Sequence, residues 1–96
     1  MSSFEEFISE HDFTDEQKER IMKMYKTVHI YYHDIFPKCT FFTPEFVLHK
    51  IATLLGVTTI NIPILKSELT LRIMDDRWRI ICNRAGWIYI PSFNYP

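Results

Sequence analysis

The run Met74-Asp75-Asp76-Arg77-Trp78-Arg79-Ile80-Ile81-Cys82-Asn83, with Gly86-Trp87-Ile88-Tyr89-Ile90-Pro91-Ser92 behind it, decides how this chain is read. Leu69, Ile73, Met74, Trp78, Ile81 and Cys82 recur at spacings of three and four, which puts them on one side of a helix. Ser67 is a natural cap for its start, and Glu68 suits the positive end of the helix dipole. Ala85-Gly86 ends it, because glycine reaches the left-handed conformation that closes a helix. Trp87, just beyond, is placed for the hydrophobic contact that accompanies such a stop. The segment Trp87-Ile88-Tyr89-Ile90 alternates and allows one short strand, whose partner would have to come from the connection between Val57 and Ile62.

Upstream, Phe46, Val47, Leu48, Ile51, Leu54 and Leu55 form the broad apolar face of another helix. Thr43-Pro44 starts it, threonine as cap and proline where a missing N–H does no harm, and Gly56 stops it. Pro63 keeps the connection from Val57 to Leu65 out of any central strand. Thr14-Asp15-Glu16-Gln17 is a capping box for a longer helix. Its series Ile21, Met24, Tyr25, Val28, Tyr31, Tyr32, Ile35 keeps helical spacing until Pro37, which pushes Phe36 out of helical geometry. A short helix from Ser3 to about Glu10, with Phe4, Phe7 and Ile8 on one side, precedes it. The expected fold is mainly α: a small single-domain helical bundle of three substantial helices plus a short N-terminal one, with room for one short β patch. Residues 1–96 form one domain, with an acidic segment over 1–13, a core over 14–90 and an extended aromatic tail over 91–96. The expected core holds Met24, Val28, Ile51, Leu55, Ile73, Trp78 and Ile81.

Composition agrees with that reading. Ninety-six residues suit one domain, and 47% apolar with 16% aromatic residues excludes a disordered tail. Two glycines argue against a sheet built from many tight turns. No stretch approaches the ~20 apolar residues of a membrane span. The start, Met1-Ser2-Ser3-Phe4-Glu5-Glu6, is acidic and has no apolar signal region, so an intracellular protein is expected. Cys39 and Cys82 lack metal-type spacing and read as free thiols. Net charge is −1, yet residues 1–17 carry six acids and no Lys or Arg, while residues 18–96 carry eleven bases against six acids. A basic surplus of that size can attract phosphate, but a strong DNA binder usually carries more, which favours a protein partner.

In order along the chain stand an aromatic and proline lead-in, Phe46-Val47-Leu48-His49-Lys50-Ile51 with its Leu55-Gly56 end, and a proline-containing connection to Leu65-Lys66-Ser67. An acidic helix with Trp78 and Ile81-Cys82 follows, and then the Gly86-Trp87, Ile90-Pro91-Ser92 close. This string resembles the poxvirus-type viral late gene transcription factor 3 family of large DNA viruses, most strongly over residues 36–92. The likeness is to the family's helical region. Members typically join that region to a cysteine-rich zinc-binding segment, and two cysteines cannot make a four-cysteine ribbon. The resemblance implies a non-catalytic late transcription factor 3-like protein that binds a viral RNA polymerase, other late transcription factors or a promoter assembly, with DNA as a further contact. Its place would be the host cytoplasm or viral factory. The alternative is a structural or interaction protein of the virion, bound to capsid proteins and using the same helical fold. Neither reading calls for a cofactor, a small-molecule substrate or a membrane.

Candidate binding residues follow from the last helix. Arg72 and Arg79 are seven apart, as are Arg77 and Arg84, so each pair lies near one line along the helix; with Lys66 they could grip phosphates or an acidic surface. Arginine suits this because its guanidinium forks onto phosphate or carboxylate. The plainer reading pairs Asp75 and Asp76 locally with Arg72 and Arg79 on a solvated face. Phe93 and Tyr95, with Tyr89, make an aromatic arm suited to docking. His29 and His33 are four apart, a spacing that can share a metal, but structural zinc wants four ligands and the pair reads as polar flanks of an aromatic stripe. Cys82 falls on the apolar face, where thiols are inert, and no phosphate loop or catalytic motif is present. Asp75 and Asp76 are adjacent on a helix and point different ways, which excludes a working carboxylate pair.

Overall fold

The computed structural model describes residues 4–57 and 68–90. Four helices follow in order: α1 Phe4–Ser9, α2 Asp15–Ile35, α3 Pro44–Leu54 and α4 Glu68–Ala85. Local chemistry sets most of their ends. The Gln17 amide donates to Thr14 Oγ1 at 3.1 Å and the Thr14 amide donates to Gln17 Oε1 at 2.9 Å, a complete capping box for α2. Phe36, at φ −123° and ψ 61°, has left helical geometry ahead of Pro37. α3 starts with Pro44 at its first position, but Thr43 makes no side-chain cap bond, so backbone geometry alone starts this helix. At its other end Gly56 sits at φ +74°, while the Val57 amide donates to Ala52 O and the Gly56 amide to Thr53 O. These two bonds satisfy carbonyls that the helix end would otherwise leave bare. α4 closes in a related way, with Gly86 at φ +76° and the Trp87 amide donating to Cys82 O.

α2 packs against α3 and α4, and α1 lies across α2 and α3. The core draws Ile21, Val28 and Tyr32 from α2, Phe46, Val47 and Ile51 from α3, and Trp78, Ile81 and Cys82 from α4. Aromatic rings run through it as a connected series. Tyr32 lies 4.7 Å from Phe42, Phe42 lies 5.9 Å from Trp78, and Trp78 lies 6.2 Å from Trp87, all between ring centroids. Edge-to-face and offset contacts of this kind add to area burial. The expected placement of Trp87 beside its own helix is therefore what the fold shows.

Three expectations need correction. Ile73, expected in the core, is 45% exposed, and Leu69 is 69% exposed. The core stripe of α4 is the narrower set Met74, Trp78, Ile81 and Cys82, and Leu69 and Ile73 fall to one side of it. Met24 and Leu55 pack against the core while only partly buried. No strand forms among the described residues: Trp87 and Tyr89 do turn inward while Ile88 and Ile90 stay exposed, but this alternation is used against helices. The Ser67 cap and the 91–96 tail lie outside the described residues, as does nearly all of the connection from Val57 to Leu65.

Candidate functional site

α4 presents three sides. Its inward side carries Met74, Trp78, Ile81 and Cys82 and, among them, the carboxylate of Asp75. Lys50 on α3 reaches this carboxylate at 2.5 Å and also donates to Ile90 O at 2.8 Å. The Tyr89 hydroxyl donates to the other Asp75 oxygen. Both charged side chains are almost wholly shielded from solvent. A buried ion pair survives desolvation only when its remaining donors and acceptors are satisfied, and here the segment after Gly86 does that. Burial pulls the Lys50 ammonium below its ordinary range, and Asp75 opposes the shift. His49, beside it, is also lowered, by burial first and then by the Lys50 charge, which favours a neutral imidazole. Helical spacing alone does not reveal this polar latch. The available signal was a lysine inside the apolar run Val47-Leu48-His49-Lys50-Ile51 and an aspartate three residues before Trp78.

The second side faces α2. Arg77 donates to the Tyr32 hydroxyl at 3.1 Å, and its guanidinium lies 5.6 Å from the centre of the Phe36 ring. The Tyr32 hydroxyl in turn donates to Thr40 O at 2.6 Å. One phenol thus joins α2, the loop before α3 and α4. Arg84 pairs with Asp34 at 3.2 Å and lies over the Tyr31 ring. The third side is solvated: Arg72 is exposed, and Arg79 pairs with Asp76 at 2.8 Å. The Arg79–Asp76 pairing expected from the spacing is therefore seen, and Asp75 bonds to Lys50. The two arginine lines lie on different sides of the helix. Lys66, Phe93 and Tyr95 lie outside the described residues.

Between the loop before α3 and the first half of α4 is a cleft of about 210 Å³, lined mainly by Phe41, Phe42, Ile73 and Met74, with Tyr32 and Arg77 bringing polar atoms. Exposed Leu69 lies one helical turn before Ile73.

The cysteines and histidines follow their surroundings. Cys82 is buried, and burial pushes its thiol up to about 11; Cys39 is exposed, and neither is in a disulfide. A thiolate is the reactive form. At pH 8, an aromatic disulfide reagent should therefore titrate Cys39 promptly in the native protein and Cys82 only after unfolding. Two thiols reacting at one rate would contradict the burial of Cys82. His29 lies tilted against Phe41, 5.0 Å between centroids, with His33 at 4.9 Å, and no group of three metal-binding side chains forms among the described residues. Nor is any helix among them long and apolar enough to cross a membrane.

Comparison with curated proteins and with solved structures gives no match. The profile described as Poxvirus Late Transcription Factor VLTF3 like matches residues 8–89. That span starts at the end of α1, covers α2, α3 and α4 whole, and takes in the Lys50, Asp75 and Tyr89 latch. On this match over most of its length, the chain belongs to the poxvirus late transcription factor VLTF3-like family.

Proposed function

We propose that the chain works in late viral transcription as a non-catalytic factor that binds viral RNA polymerase or other late transcription factors through α4, in the cytoplasmic viral factory. The observation that carries this reading is the extent of the family match. It covers the whole of α2, α3 and α4 and reaches the latch residue Tyr89. Arg72, Arg79 and Arg84 are the residues proposed to meet the partner, with Arg77 beside the cleft. Lys66, Phe93 and Tyr95 remain candidates on sequence grounds. Protein is favoured over DNA as the partner because acids accompany these cations: Asp76 pairs with Arg79 and Asp34 with Arg84, and the whole chain carries −1.

The test is capture of the tagged protein from infected cells late in infection, with its stoichiometric companions weighed by mass spectrometry. RNA polymerase subunits and late transcription factors are expected. The double variant Arg79→Ala/Arg84→Ala should lower their recovery about tenfold without unfolding the chain, since both residues are more than half exposed and surface pairs contribute only ~0–1 kcal/mol. Unchanged recovery would remove these arginines from the site, and capsid proteins as the leading companions would replace the transcription reading with a virion one.

A further inference from the structure

We propose that the cleft between the loop before α3 and the first half of α4 is a docking pocket for an acidic peptide segment of a protein partner. It would take one large apolar side chain between Phe42 and Ile73, with a flanking carboxylate on Arg77. The inference deepens the proposed function, since it names the kind of segment that a transcription partner would present to α4.

Size, lining and charge argue for that occupant. At about 210 Å³ the cleft falls below the ~300–1,000 Å³ of small-molecule sites, yet exceeds the ~150 Å³ apolar cavity that holds a benzene. One phenyl or isobutyl group fits such a space. Its walls are mainly the rings of Phe41 and Phe42 with Ile73 and Met74. Ile73 and Leu69 remain exposed beside it, so the apolar surface continues along the helix beyond the cleft. Helix-in-groove and short-peptide recognition use this combination of a socket and an adjoining apolar ledge.

Arg77 decides the charge of the occupant. A guanidinium has five N–H donors, and this one gives a single side-chain hydrogen bond, to Tyr32, while its central carbon lies over Phe36. Among the described residues no carboxylate lies within ion-pair distance of it, unlike Arg79 and Arg84. Half-buried beside an apolar socket, it can meet a carboxylate in a setting where charge-assisted bonds are stronger than in open water. Nucleic acid fits less well. Phosphate tracking needs a row of cations, and Arg72 and Arg79 lie on the solvated side of α4, away from this cleft.

The experiment is a titration of the ¹⁵N-labelled full chain with the peptide Ac-Glu-Glu-Leu-Phe-Glu-Glu-NH₂, followed by amide shifts. Two control peptides replace all Glu by Gln, or Leu-Phe by Ala-Ala. The acidic peptide is expected to move the amides of Phe41, Phe42, Ile73 and Arg77 and to bind at least tenfold more tightly than either control. Arg77→Met should weaken it at least tenfold, as should Ile73→Glu, which sets a like charge beside the socket. Ile73 is partly exposed, so that variant should keep the helical circular dichroism of the parent. No shifts at millimolar peptide, shifts elsewhere, or equal binding of the Gln peptide would each overturn the proposal. If the acidic peptide binds as expected while the captured protein brings down no transcription proteins, the transcription reading fails and the pocket stands. If transcription proteins are recovered undiminished by Arg77→Met and Ile73→Glu, the pocket fails and the transcription reading stands.

Discussion

Lys50→Met is expected to cost the fold about 3–5 kcal/mol near neutral pH, because it removes one member of a buried ion pair and leaves the other uncompensated. Asp75 would keep its Tyr89 contact but lose the ammonium that lies 2.5 Å away. The deficit should also depend on pH, with a definite sign. A buried carboxylate without its cation is more easily protonated in the folded chain than in the unfolded one, where the ordinary value is about 3.9. Above that value the folded variant would hold more protons than the unfolded, so its stability relative to the parent rises as pH falls. Urea unfolding of parent and variant at pH 7 and pH 5 checks this, with the gap expected to narrow at the lower pH. The double variant Lys50→Met/Asp75→Leu should recover most of the loss, since apolar replacement of both partners is often neutral. A pH-independent gap, or one below about 1 kcal/mol, would mean that water reaches the pair and that the latch is not a buried one.

Trp78→Ala is the second large effect, expected at about 3–5 kcal/mol. Trp78 is 1% exposed and stands between Phe42, Phe46 and Trp87, so truncation removes ring contacts to three neighbours and opens a cavity that only partial collapse can fill. A domain of this length shifts its melting temperature by about 4–8 °C per kcal/mol, so a fall of at least 12 °C is expected in a thermal scan. The loss should exceed that of Ile73→Ala several-fold, because Ile73 is partly in solvent. Similar losses for the two would imply that the core of α4 is centred on its Ile73 side.

The contrast between Trp78 and Ile73 shows where sequence periodicity stops being informative. Both satisfy a spacing of three or four within α4, and only packing distinguishes them. Arg77 and Arg84, which bond to Tyr32 and Asp34 of α2, both lie in the second half of α4, whereas Leu69 and Ile73 come before them. The same limit applies to the arginines. Spacing placed Arg72 with Arg79 and Arg77 with Arg84, and those lines exist on the helix. That the second line faces Tyr32, Phe36, Tyr31 and Asp34 follows from how α2 is set against α4.

What the sequence by itself determined is the set of helices and most of their ends. Thr14 with Gln17, Pro37, Pro44, Gly56 and Gly86 act on neighbours within a few residues, so their effects are fixed before any long-range contact forms. The order of motifs along the chain also carried the family, since that too is a property of the one-dimensional string. Only the tertiary structure decided which of two adjacent aspartates is buried. Asp75 and Asp76 have the same chemistry, and a helix merely turns them in different directions. Asp75 can enter the core because Lys50, 25 positions earlier, and Tyr89, 14 positions later, arrive at the same place to satisfy it. Asp76 remains in water with Arg79. Desolvating a charge is unfavourable until its partners are assembled, and their assembly depends on distances through space, which spacing along the chain does not contain.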